Sequence, residues 1–197
     1  MKTFVQFLNE RHDHYHAQPG ESEVVYSARR TQRTPMPGDH WGPSDAARAR
    51  SFMIATKGKA PEWDKMSALE KYRVKNQKFD THIARINLGK VAHIEDTIHH
   101  TPEIIAKTLH DTGHIMKNHY DHLHNELRGM QDRHDKYKHL AQSLKKHAGI
   151  DTISYTNEVE APGKKSYITL DPKRVRILNT TKGHINLKRG SENVLRF

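Results

Sequence analysis

The spacing of the apolar residues changes twice along this chain, and that change constrains the fold more than any other feature. Residues 22–28 and the segments after Gly149 are short, rich in β-branched and aromatic residues and bounded by turn residues, as strands are. Between these regions the apolar residues recur at helical intervals. The sequence therefore predicts an α+β fold, in which an N-terminal strand and C-terminal strands form a small split antiparallel sheet with a long helical hairpin inserted.

The helical insertion is predicted at about residues 67–148. A short helix capped by Ser44 or Asp45 precedes it, and Ser67 is the next start signal, because these side chains accept hydrogen bonds from the first turn. From Ser67 to about His100 we expect helix with one apolar face, formed by Leu69, Tyr72, Phe79, Ile83 and Ile86.

The second half of the insertion has the more regular pattern. Thr101, Pro102 and Glu103 form a helix start, since proline is favoured in the first turn. From Met116 to Leu144 the apolar intervals alternate between four and three residues, which predicts one long amphipathic helix. We expect it to pair with the preceding helix as an antiparallel hairpin. The alternative is a dimeric coiled coil, for which tyrosine, histidine and alanine make a weak seam.

The charge of the chain favours a polyanionic partner. Lysine and arginine number 33 against 23 aspartate and glutamate, which gives a net charge of +10, and 17 histidines can add to it. DNA is therefore an expected partner, although dispersed basic residues also occur in proteins that bind no nucleic acid. The absence of cysteine excludes disulfides and a cysteine nucleophile. No apolar run approaches the ~18 residues of a membrane span, so we expect no membrane partner.

Histidines cluster in the insertion, at His110, His114, His119, His122 and His124. Helical spacing could bring two of them onto one metal ion, but no His-Glu-x-x-His motif accompanies them, so we expect no metal site. The sequence also contains no glycine-rich phosphate loop, no Gly-x-Ser-x-Gly motif and no kinase motif. Common hydrolase and kinase mechanisms therefore lack their required parts.

Residues 1–20 are predicted to form an arm before a single, monomeric domain at 21–197. The arm begins Met-Lys-Thr, continues as a short amphipathic helix and contains Leu8, Asn9 and Glu10. It resembles the capsid-targeting peptides of T-even-type phage internal head proteins, in which cleavage by the prohead protease would fall after Glu10. The resemblance implies a protein packaged with phage DNA in the virion interior and injected into the host cytoplasm. The alternative is an ordinary N-terminal helix that packs on the core.

Two separate segments carry a second resemblance. The C-terminal segment, from Gly149 to Pro172, contains Gly-x-Asp, Tyr-x-Asn, two glutamates, Ser-Tyr and Asp-Pro in that order. The N-terminal segment comprises Val24, Val25, Tyr26 and Arg29, then His40 and Trp41, and then Ser44 to Phe52. Together these segments resemble the ADP-ribosyltransferase-like domains of phage and polyvalent proteins.

This resemblance implies that NAD lies in a cleft between the split sheets. Breaking the nicotinamide bond develops positive charge on the ribose, so a carboxylate bonded to a ribose hydroxyl stabilises the transition state. Glu160 is the candidate for that role, and Glu158 would orient or deprotonate an acceptor on a host protein. The candidates for binding NAD are Arg29, which would hold the phosphates, and Tyr26, Trp41 and Ser44.

The sequence departs from the family in three respects. No Ser-Thr-Ser strand is present, Gly42 and Pro43 follow Trp41 where a threonine is usual, and a long insertion separates the two halves. The fold could therefore persist without the activity.

Three other functions fit the same sequence. In a non-enzymatic head protein that binds packaged DNA, Arg29 would contact phosphates, and Glu158 and Glu160 would form a solvated hairpin edge. An injected inhibitor would block a host defence enzyme through the surface of the helical hairpin. A small nuclease on a related sheet would use His40 or His184 as its base.

Overall fold

The computed structural model describes residues 22–29, 34–56, 65–96, 100–158 and 161–184. In this part of the chain seven strands form two sheets and five α-helices pack beside them, so the predicted α+β class with a split sheet is confirmed. The strands are β1 (Ser22–Arg29), β2 (Asp39–Trp41), β3 (Lys78–Asn87), β4 (Val91–Ile94), β5 (Thr152–Asn157), β6 (Lys164–Thr169) and β7 (Val175–His184). The helices are α1 (Ser44–Ala55), α2 (Ala68–Lys75), α3 (Pro102–Asp111), α4 (Lys117–Gly129) and α5 (Arg133–Ala148).

The two sheets meet at one pair of backbone hydrogen bonds. One sheet has the strand order β1-β3-β7 and the other has the order β2-β6-β5-β4. The amide of Tyr26 in β1 donates to the carbonyl of Gly42 at 2.8 Å, and the amide of Gly42 donates back at 3.0 Å. One pair, β4 and β5, departs from the predicted antiparallel arrangement and runs parallel. Helices α3 to α5 connect these two strands, and such a long crossover permits parallel pairing.

The four-stranded sheet separates two apolar cores. On one face, Ile153 and Ile168 pack with buried side chains of α3, α4 and α5. On the other face, Trp41 and Tyr167 pack with Val25 of the three-stranded sheet. Successive side chains of a strand point to opposite faces, so β6 contributes Ile168 to the first core and Tyr167 to the second. Almost every residue of β5 is buried as a result.

Residues 78–94 form β3 and β4 instead of the predicted helix, of which only Ala68–Lys75 is present. In β3 the side chains of His82, Ala84 and Ile86 are buried, and those between them are more exposed, which is a period of two. Both edges of β3 are paired, one with β1 and one with β7. These non-local hydrogen bonds outweigh the helical spacing that the sequence also contains.

The predicted helix starts are mostly confirmed. Ser67 and Glu70 form a capping box at α2, and the Thr101 hydroxyl accepts a hydrogen bond from the third residue of α3. The start of α1 is corrected, because Pro43 is its N-cap and no side chain caps it. Leu69 and Tyr72, predicted to be on the buried face of α2, are 57% and 66% exposed.

The long helix predicted from Met116 to Leu144 is divided into α4 and α5. The chain is extended at Met130, and the Asp132 carboxylate accepts a hydrogen bond from the amide of Asp135 to begin α5. The helices run antiparallel, since His139 in α5 contacts Glu126 near the end of α4 at 2.8 Å. A hairpin therefore forms within the predicted long helix, between α4 and α5, whereas the predicted partner was the preceding helix; that helix, α3, packs against both.

Asp151 connects three elements just before β5. Its carboxylate, 5% exposed, accepts hydrogen bonds from Lys145 of α5 at 2.5 Å and from the amide of Lys90 at 3.0 Å. Arg174, which precedes β7, pairs with it at 3.1 Å. Burial alone would raise the pKa of Asp151, but these hydrogen bonds and the charge of Arg174 together lower it. The carboxylate is thus a structural anion.

We expect Asp151→Asn to lower the free energy of unfolding by about 2 kcal/mol at neutral pH, because it removes a charged acceptor from two cations. Chemical denaturation measures this loss. Since the folded pKa lies below the unfolded one, the contribution is present above about pH 4 and is lost as the pH falls through the folded value. The difference between the two proteins should shrink there. Asp121→Asn, in an exposed pair with Lys117, should cost less than about 0.5 kcal/mol; an equal effect would contradict the structural role of Asp151.

Candidate functional site

Three strands of the four-stranded sheet end at one edge, which we call the split edge. Strands β2 and β5 are both antiparallel to β6, and β4 is parallel to β5, so all three run in the same direction. Their carboxyl ends are followed by Gly42, Glu95 and Glu158. Strand β1 of the other sheet crosses this edge at the bridge between Tyr26 and Gly42. The split edge is therefore where both sheets contribute residues to one place.

The split edge brings together part of the predicted NAD site. Tyr26 is half-buried at the bridge, and Ser44 is exposed at the first residue of α1. Trp41 is fully buried, and its indole nitrogen donates to the Thr169 hydroxyl at 3.2 Å, so only its backbone faces the edge. Arg29 ends β1, where its backbone pairs with Asp80; the structure does not describe its side chain.

The turn after β5 is fixed by Asn157. This side chain is 1% exposed, and its amide nitrogen donates to the Ser166 hydroxyl at 3.3 Å. Its side-chain oxygen accepts from the amide of Ala161 at 3.1 Å, and its carbonyl accepts from the amide of Gly163 at 3.0 Å. Asn157 thus holds both described ends of the segment that carries the two candidate glutamates.

The structure describes only one of the two candidate glutamates, Glu158. Glu158 is exposed, and its amide donates to Asp96 at 2.7 Å, which ties the start of the turn to the chain after β4. Glu160 lies outside the described residues, as do Leu8, Asn9 and Glu10 of the predicted cleavage site. The predictions for those residues are not addressed by the structure.

A partly buried polar cluster lies behind the split edge; we call it the His40 cluster, formed by His40, Arg50, His100 and the buried Tyr155. The Tyr155 hydroxyl lies 3.1 Å from Nδ1 of His40 and accepts a hydrogen bond from Arg50 at 3.2 Å. The rings of His100 and Tyr155 are 4.3 Å apart. His100 also lies 3.4 Å from Asp96, the carboxylate that holds the amide of Glu158. The cluster therefore connects β2, α1 and β5 to the turn.

The His40 cluster favours a neutral imidazole. Burial lowers the pKa of His40 well below its ordinary value, and the positive charges of Arg50, His100 and Arg133 lower it further. A neutral His40 can share a proton with the Tyr155 hydroxyl in either direction. The sequence placed His40 in the segment that resembles transferase domains and assigned it a chemical role only as a nuclease base; the structure describes no side chain for the alternative base, His184.

The charges beside the split edge are of both signs. Lys164, exposed at the start of β6, binds Asp45 in the first turn of α1 at 2.7 Å. Burial alone would raise the pKa of Asp45, but its bond with Lys164 lowers it overall. Together with Glu158 and Ser44, this pair places a cation, carboxylates and a hydroxyl within reach of a ligand at the edge.

Histidines of the insertion form contacts between neighbouring helices. His110 stacks on Tyr120 with ring centroids 4.9 Å apart, and His119 hydrogen bonds to Ser143. Among the described residues, no three histidine or acidic side chains are arranged to hold a metal ion. In the same ranges, none of the helices combines the length and apolar character needed to cross a bilayer.

Comparisons of the chain with models of protein families, with curated proteins and with solved structures yield no match. A function must therefore be argued from the geometry of the split edge and from the motifs that converge there.

The burial of His40 predicts a pH-dependent stability. Its folded pKa lies below the unfolded one, so the unfolded chain binds the additional proton as the pH falls below about 6.5. We expect His40→Gln, which can still bond to Tyr155, to remove up to about 1.4 kcal/mol per pH unit from that slope. Denaturation at several pH values measures it. His122→Gln, at a side chain 74% exposed, should keep the slope of the original protein; an unchanged slope in His40→Gln would contradict the prediction.

Proposed function

We propose that the protein transfers ADP-ribose from NAD to a host target, and that the split edge is the active site. The observation that carries the proposal is the position of the turn after β5. Through Asn157 and Ser166 this turn is fixed beside Gly42, and Gly42 bridges to Tyr26 of the other sheet. The two segments that resemble transferase domains are distant in sequence, and this chain of contacts joins them.

The residues at the split edge fit the chemistry of NAD. A dinucleotide carries two phosphates, which bind cations, and several ribose hydroxyls, which form hydrogen bonds with carboxylates or hydroxyls. Lys164 supplies a cation, Ser44 a hydroxyl and Glu158 a carboxylate. Arg29 comes from the strand that crosses the edge and is our candidate for the phosphates. Trp41 takes part through its backbone alone, because its ring is buried.

NAD supplies the ribosyl carbon and the nicotinamide leaving group, and the chain supplies charge and position. In our proposal the Glu160 carboxylate accepts a hydrogen bond from a ribose hydroxyl and stabilises the positive charge that develops as nicotinamide leaves. Glu158 takes the proton from the attacking group of the acceptor. Asn157 is a positioning residue, since it holds the segment of both glutamates without contacting the ligand.

The transferase proposal is tested with labelled NAD and host lysate. We expect the protein to transfer label to macromolecules and Glu160→Ala to lower the rate by about 10²–10³-fold, the usual loss when a charge-stabilising group is removed. Glu158→Ala should lower the rate of transfer by more than it weakens the binding of NAD, because its proposed role in the reaction is that of the base. The matched control is Glu126→Ala on α4, which should transfer at the original rate. Absence of both transfer and NAD binding would overturn the proposal.

A second candidate is a non-enzymatic protein that binds packaged DNA, and the net charge of +10 favours it. DNA binding that weakens steeply with salt, in the absence of NAD binding, would support this function instead. Either function accords with our further proposal that the arm directs the protein into a phage head.

Packaging predicts a defined N-terminus. If the arm is a targeting peptide, protein recovered from virions should begin at Arg11, after cleavage behind Glu10. Intact-mass spectrometry of virion protein measures this, with Glu10→Ala as the variant that should remain uncleaved. Uncleaved protein, or its absence from virions, would contradict the packaging proposal.

A further inference from the structure

A pocket of about 500 Å³ lies at the opposite end of β5 from the split edge. Asp151 precedes the strand and Glu158 follows it, so the pocket and the split edge are roughly 20 Å apart at ~3.3 Å per residue. The pocket is formed by α5 on one side and by residues 170–173, which connect β6 to β7, on the other. Its volume is within the ~300–1,000 Å³ of sites for small ligands.

One face of α5 lines the pocket with three lysines. The lining residues of this helix are Lys138, Ala141, Gln142, Lys145 and Lys146, spaced as i, i+3, i+4, i+7 and i+8. Residues at these intervals lie on one side of a helix, so the lysines are aligned along the pocket. Lys173 faces them from the connection between β6 and β7. The rim thus carries cations on both sides.

The floor of the pocket is apolar. Ile150 and Leu170, 2% and 3% exposed, belong to the core and line the pocket, and Ala141 and Pro172 extend this surface. A small inorganic anion makes no use of such a surface, whereas a planar heterocycle does.

The two carboxylates in the pocket leave its cations in excess. Asp151 forms ion pairs with Lys145 and Arg174, which neutralise it. The Asp171 carboxylate accepts a hydrogen bond from the amide of Lys173 and lies 3.9 Å from Arg174. Lys146 and Lys173 form no ion pair with any residue that the structure describes. These two ammonium groups are therefore available to an incoming anion.

We propose that this pocket binds a phosphate-bearing nucleotide unit, either free or within a nucleic-acid strand. The lysines of the rim would hold the phosphate as point charges, and the apolar floor would take the base. The proposal does not depend on transferase activity, because it uses none of the residues at the split edge.

Binding of ATP and of a single-stranded oligonucleotide of about ten nucleotides to the full chain is measured by calorimetry and by fluorescence anisotropy. We expect the double variant Lys146→Glu, Lys173→Glu to weaken binding about tenfold or more, since it reverses the two rim charges that have no ion-pair partner among the described residues. The matched control is Lys107→Glu, Lys117→Glu, two exposed lysines on α3 and α4 with the same change in net charge. It should change affinity less than about twofold.

The results identify the source of the phosphate. Rim-dependent binding of ATP supports a free nucleotide, and rim-dependent binding of the oligonucleotide alone supports a strand. Equal weakening by both double variants, or no binding at all, would overturn the proposal. If inorganic phosphate displaced the bound oligonucleotide as effectively as ATP does, the apolar floor would contribute nothing to binding, and the proposal of a nucleotide site would be overturned.

A second measurement does not depend on the variants. An azidoadenine nucleotide, photolysed on the unmodified protein, should label the peptide that contains residues 170–173. Labelling confined to peptides at the split edge would overturn the assignment of this pocket.

Discussion

Two backbone hydrogen bonds between Tyr26 and Gly42 are the only connection of this kind between the two sheets within the described residues, and the arrangement of the split edge depends on them. Residue 42 has no side chain, and a Cβ there would lie 2.6 Å from the hydroxyl of Ser166, so a larger residue would displace that hydroxyl. That same hydroxyl accepts a hydrogen bond from the side-chain amide of Asn157. The bridge between the sheets and the turn of the candidate glutamates therefore share one closely packed point, and a displacement of either would disturb the other.

The sequence predicts the parts of this fold that local interactions determine. Ser67 and Thr101 cap helices because their hydroxyls bond within the next turn, and β1 consists of strand-forming residues. Strand β3 was missed because its stability comes from β1 and β7, which are distant in sequence, and its apolar residues also fit a helical interval. The break between α4 and α5 was missed because Asp132 caps a helix within a region of uninterrupted helical periodicity.

In the candidate site, too, the sequence predicts the residues that belong to local motifs and misses those that meet through contacts between distant segments. The motifs identify Tyr26, Ser44 and Glu158, and the structure brings the segments that carry them to one edge. The His40 cluster could not be found in this way, because its contacts join residues that are 105 and 115 positions apart. Nothing in the neighbourhood of Arg50 indicates that it will meet a tyrosine of β5. Burial of a polar group is expensive unless it is paired, and the hydroxyl of the buried Tyr155 is paired with both His40 and Arg50.

A buried polar side chain lies at each end of β5: Asp151 immediately before the strand and Asn157 at its last residue. Asp151 binds the amide of Lys90 at one end, and Asn157 binds the amides of Ala161 and Gly163, by its side chain and its carbonyl, at the other. Between them, Ile153 is packed into the helical core and Ser154 faces the opposite side. Strands β2, β5 and β6 all connect the surroundings of the lysine-lined pocket to the split edge, so a ligand in the pocket could influence the edge by moving these strands. Pairing of β5 with β4 and β6 along the strand opposes that movement. We therefore expect the two proposed sites to bind their ligands independently, because coupling requires a connecting element with two stable positions and the sheet pairing opposes such a movement.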